Sequence, residues 1–340
     1  MHFYDDFFYI TNSYYMASSG QEAMFQYFDK LYQSDLIQPR PYHYFDLWIY
    51  VVFIKIFSFL SIPIIANIMV PFFVSSVMGL TLYFCVKNLE IDNNYLSILI
   101  AFAFIYGVIL VPRFGSEIVS PLLTAKVGVN YIFAVLISWS LINRRIESFR
   151  YLLLVYGFIN IVNIPVSVSL YLVSMFFYRI KATNFILHCL LLIFWILFYH
   201  YYGGFIPQGL QEESTKISIM FYSIPLEFIK EIIMNLFLIM LLVWETVVNR
   251  KKIRDFVLIT ASITVTTLSF SLLGNDFNSF QFVTIAQQPI LSTYFLMLII
   301  KKFKGNKWFN KATIVILTMY LIYSIFIFSN YVGQLKKDNF

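Results

Sequence analysis

Charged residues are scarce in this chain, and so are the motifs on which soluble enzymes are built. Only 12% of its 340 residues are Asp, Glu, Lys or Arg, whereas 60% are hydrophobic and 20% aromatic. An ordinary soluble domain carries about 25% charged residues. The composition therefore excludes a soluble globule of the usual type and predicts an all-α, polytopic transmembrane helical bundle in a cell membrane, either a bacterial inner membrane or a plasma membrane.

Cysteine is rarer still. The two cysteines, Cys85 and Cys189, lie inside apolar runs without metal-ligand neighbours, so the sequence offers neither a disulfide framework nor a metal site. The metal-binding HExxH motif is missing. A Gly-rich phosphate loop and a soluble domain large enough for a nucleotide fold are missing too, which argues against ATP-driven chemistry. The N-terminus is polar and aromatic, and therefore predicts no cleavable signal peptide. We expect no nucleic-acid partner and no cofactor, with a catalytic divalent cation left open.

The hydrophobic pattern predicts two parts. Residues 1–62 form an acidic and aromatic juxtamembrane segment, and 63–340 form the transmembrane domain with about eight spans. The apolar stretch 44–59 is too short for the roughly 20 residues that a span needs, so it is predicted to lie in the interface. The candidate spans are 63–86, 95–112, 127–143, 184–202, 227–248, 256–273, 280–300 and 312–331.

A further apolar run, 151–178, is interrupted at its centre by Asn160, Asn163 and Pro165. It forms either one kinked helix or a hairpin of two short arms. The basic clusters on either side belong on the same face of the membrane, and only an even number of crossings between them achieves this. We therefore predict a broken hairpin that turns near Pro165.

Basic residues predict the orientation, because short cytoplasmic loops are enriched in Lys and Arg. Three clusters are predicted to be cytoplasmic, and the same count then places residues 1–62 on the outer face. The clusters are Arg144, Arg145 and Arg150; Arg250, Lys251, Lys252 and Arg254; and Lys301, Lys302, Lys304 and Lys307.

Titratable groups gather on the predicted outer face. A helix over 43–57 would place His43 and Asp46 on one side, where they are either merely solvated or part of a site. Arg113 follows a proline at the end of a span, with Glu117 one turn on. It either snorkels to the surface or binds a lipid phosphate. His188, near an inner helix end, is predicted to be a packed histidine.

Two sequence patterns resemble a known family. They are Tyr-Asp-Asp-Phe-Phe-Tyr at 4–9 and Pro-Arg-Pro-Tyr-His-Tyr-Phe-Asp-Leu-Trp at 39–48, followed by a proline-containing span from 63. Together, over about 80 residues, they resemble the GT-C class of integral membrane glycosyltransferases, which depend on polyprenyl-phosphate sugars. In that class an aspartate at the outer end of the first transmembrane helix is the base, and juxtamembrane helices follow it.

The resemblance implies that Asp5 or Asp6 is the catalytic base and that 41–57 is the juxtamembrane helix. The helix that precedes the aspartate in this class has no counterpart here. We expect either an internal start that omits it or an N-terminus translocated without it.

The resemblance therefore implies transfer of a sugar from a polyprenyl-phosphate-linked donor to a cell-envelope glycan or lipid acceptor, at the outer membrane face. Such a reaction needs a carboxylate to take the acceptor proton and a cation to stabilise the leaving phosphate. Asp5 or Asp6 would be the base and Arg113 the phosphate ligand. The other substrate-binding residues would be His43, Asp46 and Glu117.

Two other functions stay open from sequence. One is a polysaccharide polymerase or ligase that uses outer-loop arginines, and the other is a flippase or transporter of lipid-linked oligosaccharides. In a transporter the broken hairpin 151–178 would be the substrate site, and polar residues would cluster around Asn160 and Asn163. In a transferase the outer-face residues Asp5, Asp6, His43, Asp46 and Arg113 would instead line one outward cavity.

Overall fold

A computed structural model describes residues 13–14, 16–18, 44–89, 125–160, 163–203, 236–248, 253–273 and 278–302, together with 311 and 315. Within these ranges every regular element is a helix, which confirms the all-α class. The elements are α1 (Tyr44–Ile56), α2 (Ile62–Ile64), a π-helical segment (Ile65–Met69), α3 (Val70–Lys87), α4 (Ala125–Ile142), α5 (Ile146–Ile159), α6 (Ile164–Phe177), α7 (Ala182–Gly203), α8 (Leu236–Val248), α9 (Ile253–Leu273) and α10 (Asn278–Lys302).

Most predicted apolar spans coincide with a helix to within a few residues. Thus 127–143 corresponds to α4, 184–202 to α7 and 280–300 to α10. The predicted span 95–112 and nearly all of 312–331 lie outside the described residues. Hydrophobic runs of this length have few alternatives to a helix, because a buried backbone must satisfy its own hydrogen bonds.

Two prolines shape the start of α3. Pro63 lies in the first turn of α2, where its missing N–H is not needed. Pro71 lies in the first turn of α3, directly after the π-helical segment. The wider π turn relieves the clash that a proline ring makes with the carbonyl one turn earlier. The chain from 62 to 87 therefore continues as one long helical segment.

The helical pair α5 and α6 is broken where the sequence analysis expected a hairpin. Helix α5 ends because Asn160 adopts extended backbone angles, φ −146° and ψ 133°. Helix α6 begins with Pro165 in its first turn, and the two helices pack against each other. Each has 14 residues, about 21 Å at 1.5 Å per residue, against a bilayer core of about 30 Å.

The bundle is built around α4, which packs against α3, α5 and α10. Helix α6 joins α5 to α9, while α7 covers α5 and α8 covers α9. Large apolar side chains fill the space between these helices, among them Met78, Leu82, Ile137, Phe149, Leu153 and Leu258.

The outward sides of the peripheral helices are apolar as well. Helix α3 alone, Val70–Lys87, is long and apolar enough among the described helices to cross a membrane by length and composition. Shorter apolar helices accompany it at Gly128–Ile142, Ile164–Phe177 and Ala182–Trp195. Exposed large apolar residues on α3, α7 and α8 include Phe72, Leu80, Phe84, Ile186, Leu190, Phe194, Leu197, Trp244 and Val247.

The two ends of the bundle differ in charge. At one end lie the chain reversals between α4 and α5 and between α6 and α7, together with the first turn of α9 and the last turn of α10. We call this the basic end, since it carries Arg144, Arg145, Arg150, Arg179, Lys181, Arg254 and Lys301. The opposite end, where α5 finishes and α6 begins, is the end against which α1 packs.

Candidate functional site

Helix α1 packs on the end of the bundle opposite the basic end. Tyr50 is buried together with Val70 of α3, Val129 of α4 and Ile159 of α5. Next to Tyr50, α1 also buries Leu47 and Val51 against Met16, which is 1% exposed. The segment around residue 16, α1 and this end of the bundle therefore pack as one unit.

The residues predicted for the transferase site fall almost entirely outside the described part of the chain. Asp5, Asp6, His43, Arg113 and Glu117 all lie there. Asp46 belongs to the first turn of α1, but its side chain is likewise outside the description. Their predicted convergence in one outward cavity stays a prediction.

Polar side chains do converge at the break between α5 and α6. The Asn163 amide nitrogen donates to Asn130 Oδ1 of α4 at 2.9 Å and to the Tyr156 carbonyl of α5 at 3.1 Å. The Tyr156 hydroxyl in turn donates to the Ala286 carbonyl of α10 at 2.7 Å. Asn160 is also buried there, at 2% exposure. Polar contacts thus link four helices around the place where α5 ends and α6 begins, which we call the asparagine break.

Three buried side chains of these helices leave polar atoms without a partner. Asn163 Oδ1 makes no hydrogen bond, and neither does the hydroxyl of Ser167, one turn along the same face of α6. In Gln287, next to Ala286, both amide atoms lack a partner although the residue is 1% exposed. A buried polar atom without a hydrogen bond is destabilising, and the described helices carry such atoms at Ser75, Ser140 and His188 as well.

Hydroxyl groups connect the neighbouring helices deeper in the bundle. Ser138 of α4 and Thr293 of α10 are 2.8 Å apart, and Thr293 also donates to the Ala134 carbonyl at 3.1 Å. Ser169 of α6 lies 3.2 Å from both Ser262 and Thr266 of α9. Such interhelical hydrogen bonds are typical of helices that pack through small polar residues.

An ion pair between Arg144 and Asp255 connects the helices at the basic end. Arg144 donates to both carboxylate oxygens of Asp255, at 2.6 and 3.0 Å, and to the Tyr178 hydroxyl at 2.8 Å. Burial by itself lowers the pKa of Arg144, but the facing Asp255 carboxylate outweighs it and the pKa is raised. Burial, reinforced by the same carboxylate, raises the pKa of Tyr178. The pair fixes the α4–α5 turn and the end of α6 to the start of α9.

Arg150 holds the two arms of the hairpin together at the same end. Its guanidinium donates to the carbonyls of Ser174 at 3.1 Å and Tyr178 at 2.5 Å, and to Glu147 Oε1 at 3.1 Å. The last carbonyls of a helix have no partner within it, and here Arg150 supplies one. From sequence, Arg150 is counted with Arg144 and Arg145 in a basic cluster that is predicted to be cytoplasmic; in the structure it is completely buried, in the second turn of α5.

His188 is a packed histidine, as predicted. Its Nδ1 lies 2.7 Å from the Tyr171 hydroxyl of α6, and its ring contacts Tyr151 edge-on at 4.5 Å. The side chain is fully buried. It joins α7 to the hairpin and is not placed to act as an acid or base on a solvent-exposed substrate.

Sequence reasoning missed the contacts of Arg144, Arg150 and Asp255. From sequence, the arginines indicate only a cytoplasmic loop. Arg144 and Asp255 are 111 positions apart, so no pattern in the sequence shows that they form a pair. The asparagine break, by contrast, was visible as two asparagines and a proline inside an apolar run.

Among the described residues no cluster of three His, Cys, Asp or Glu side chains is arranged to hold a metal ion. A scan against protein-family models and searches among curated proteins and solved structures find no match to this chain. Function must therefore be argued from the geometry and the sequence.

Proposed function

We propose that the chain is a multi-pass membrane protein. The support is an inverted distribution of polarity: Asn130, Arg150 and Asn163 are at most 1% exposed, while Phe72 and Val247 are more than 70% exposed. In water this arrangement would expose a large apolar surface around a polar interior. In a bilayer it is the expected one, because lipid tails cover apolar side chains and polar groups face the bundle interior.

The proposed orientation places the basic end in the cytoplasm and α1 on the outer face. The charged side chains of the basic end are mostly cationic, as the positive-inside rule requires. One cation there, Arg145, lies over the Trp139 ring at 4.6 Å, and Lys87 in the last turn of α3 lies over the Tyr83 ring at 5.8 Å. Aromatic rings with long basic side chains are common at the membrane interface.

On this bundle we propose a glycosyltransferase that moves a sugar from a polyprenyl-phosphate-linked donor to a cell-envelope glycan or lipid acceptor. The observation that supports it is that α1 packs on the end of the bundle that we propose to be outer, and that Met16 packs on α1. A helix packed there brings the described Met16 to this end of the bundle as well. That location is where a lipid-linked donor presents its sugar.

The proposed reaction is a displacement at the anomeric carbon. The carboxylate of Asp5 or Asp6 takes the proton of the acceptor hydroxyl, and the acceptor oxygen forms a bond to the anomeric carbon. The bond between that carbon and the phosphate oxygen breaks, and polyprenyl phosphate leaves with the electron pair. Arg113 stabilises the charge that grows on the phosphate. The proton then passes from the carboxyl group to water.

A transfer assay tests this proposal. The full chain in lipid nanodiscs is given a radiolabelled polyprenyl-phosphate sugar and a membrane extract as acceptor. We expect Asp5→Asn or Asp6→Asn to lose a factor of roughly 10² to 10⁴ in rate, the usual contribution of positioned acid–base catalysis. Asp29→Asn, in the same acidic segment, is the matched control and should keep its rate. If both variants stay within a few-fold of the parent, the base is elsewhere, and Asp46 is tested next.

A second candidate is a flippase of lipid-linked oligosaccharides, which the asparagine break favours. Broken helices with unpaired polar groups are where many transporters bind their substrates. An assay in proteoliposomes that contain a lipid-linked saccharide distinguishes the two functions. A flippase moves the labelled lipid between leaflets in the Asp5→Asn and Asp6→Asn variants, whereas a transferase in the same vesicles moves none.

A further inference from the structure

We propose that the α6–α7 turn, residues 178–181, binds the phosphate headgroup of an anionic phospholipid of the surrounding bilayer. The inference rests on the membrane bundle proposed above but not on the transfer reaction, since the turn lies at the basic end and α1 at the opposite end. The side chains that contact the headgroup are those of Arg179 and Lys181, both exposed.

The basic end has more cations than its own described carboxylates neutralise. Two carboxylates there have side chains that the structure describes, and each is already paired. Asp255 binds Arg144, and Glu147 binds the buried Arg150. No carboxylate among the described side chains forms an ion pair with the other exposed cations of the α4–α5 turn, the α6–α7 turn and the first turn of α9, which are Arg145, Arg179, Lys181 and Arg254. An anionic partner would therefore meet four positive charges.

Contacts of Tyr178 bring these cations together. Its hydroxyl accepts a hydrogen bond from Arg144 at 2.8 Å and lies 3.5 Å from Asp255 Oδ1. Each of these three residues has a cationic neighbour in the sequence, and those neighbours are Arg179, Arg145 and Arg254. Burial raises the pKa of the Tyr178 hydroxyl, whereas Arg254 acts in the opposite direction, so its charge lies within electrostatic reach of the same contact. The two turns and the start of α9 thus form one cationic surface.

The α6–α7 turn is fixed on both sides. Arg150 donates to the carbonyls of Tyr178, at 2.5 Å, and Arg179, at 3.5 Å. The Lys181 carbonyl accepts a hydrogen bond from the Phe185 N–H of α7 at 2.9 Å. Arg179 and Lys181 are two residues apart, so their Cα atoms are at most about 7 Å apart. Because the backbone between these two cations is already ordered, binding a phosphate there costs less conformational entropy.

Apolar side chains follow the turn towards the middle of the bundle. Phe176, in the last turn of α6, is 87% exposed, and Phe185 and Ile186 of α7 are 43% and 60% exposed. Further along, the Tyr171 hydroxyl of α6 lies 2.7 Å from His188 Nδ1 of α7, which keeps the two helices together. A phospholipid has the same order of groups, a charged phosphate above apolar chains. The apolar flank therefore favours a lipid headgroup over a soluble anion, which would contact the cations alone.

A fluorescence quenching titration on the full chain tests the proposal. Bimane is attached to a cysteine at Thr183, an exposed position in the first turn of α7, in a chain whose Cys85 and Cys189 are replaced by alanine. The chain is placed in phosphatidylcholine nanodiscs with a growing fraction of nitroxide-labelled lipid, either phosphatidylglycerol or phosphatidylcholine. We expect phosphatidylglycerol to quench at a mole fraction at least about fivefold lower, the factor that one nearby cation contributes to binding an anionic lipid.

Substitutions locate the headgroup. Arg179→Gln and Lys181→Gln should each lower the preference for phosphatidylglycerol several-fold, and the double variant should lose most of it. Lys55→Gln on α1 is the matched control, because it removes an exposed cation from the opposite end, and it should change nothing. Both replaced side chains of the turn are exposed, so the thermal midpoint should stay that of the parent. If Arg179→Gln unfolds the protein, Lys181→Gln alone decides the result.

The possible failures are distinguishable. Absence of quenching by either lipid would mean that the turn does not touch a bilayer, and would overturn the membrane bundle together with this site. Equal quenching by both lipids, or a preference that persists in the double variant, would overturn the site alone. Sodium phosphate and sodium chloride of equal ionic strength should weaken the preference equally, by screening. A preference abolished by phosphate but not by chloride would mean that the turn binds free phosphate, and would also overturn the site.

Discussion

Arg144 binds Asp255 through both terminal nitrogens of its guanidinium, although the two residues are 111 positions apart in sequence. Arg144 does so from a left-handed backbone conformation, φ 59°, which non-glycine residues seldom adopt. Such a conformation costs about 1–2 kcal/mol. The hydrogen bonds of Arg144 to Asp255 and Tyr178 must offset this cost, so the ion pair stabilises the conformation of the α4–α5 turn.

Replacing Arg144 should lower the free energy of unfolding more than replacing Asp255. Arg144→Gln leaves a carboxylate that is 4% exposed without its cation, whereas Asp255→Asn leaves a guanidinium that is 41% exposed and can turn to water. We expect Arg144→Gln to lose about 1–3 kcal/mol of unfolding free energy, discounted for partial exposure, and Asp255→Asn to lose about 1 kcal/mol. Unfolding in a mixed-micelle denaturant titration measures both.

Arg145→Gln is the control for that prediction. Arg145 is exposed and lies over the Trp139 ring, so its replacement should cost about 0.5–1 kcal/mol. Equal losses for Arg144→Gln and Arg145→Gln would contradict the assignment of Arg144 as the residue that fixes the turn.

Arg150 should tolerate no replacement. Arg150→Met removes the donors to the last carbonyls of α6 and leaves Glu147 without its cation, so we expect a loss of roughly 3 kcal/mol or more. Arg150→Lys should rescue little, because one ammonium cannot reproduce the planar fork of donors. Arg179→Met, at an exposed position of the same end, should stay within about 0.5 kcal/mol of the parent. A stable Arg150→Lys protein would show that the fork geometry is unimportant.

Gly157 permits the close approach of α5, α6 and α7. A Cβ at this position would lie 2.4 Å from Trp195 Cη2. Gly157→Ala should therefore lose about 1–3 kcal/mol by overpacking. The same substitution in a Trp195→Phe background should cost clearly less, because the atom in conflict is gone. A double-mutant cycle gives the coupling energy, and an additive cycle would place the strain elsewhere.

The helices themselves were largely predictable from sequence. Runs such as 127–143 and 280–300 are long, apolar and bounded by charges, and each matches a helix closely. The break between α5 and α6 was predictable for the same reason, since asparagines and a proline inside an apolar run disfavour one continuous helix.

Side-chain partners were not predictable. Arg150 and Arg145 look alike in sequence, yet one is fully buried and the other exposed. The difference arises because α5 begins at Ile146 and turns Arg150 towards the end of α6. The transferase residues Asp5, Asp6, His43, Arg113 and Glu117 lie outside the described part of the chain, so the catalytic site stays a prediction.

The account as a whole depends on the two ends of the bundle facing opposite sides of a membrane. Cysteines placed one at a time at Lys55 of α1 and at Arg145 of the basic end, both exposed, test this in a chain whose Cys85 and Cys189 are replaced by alanine. In intact cells a membrane-impermeant thiol reagent should label position 55, and it should label position 145 only after permeabilisation. Labelling of position 145 in intact cells, or of both positions equally, would contradict the proposed orientation and the outer-face reaction with it.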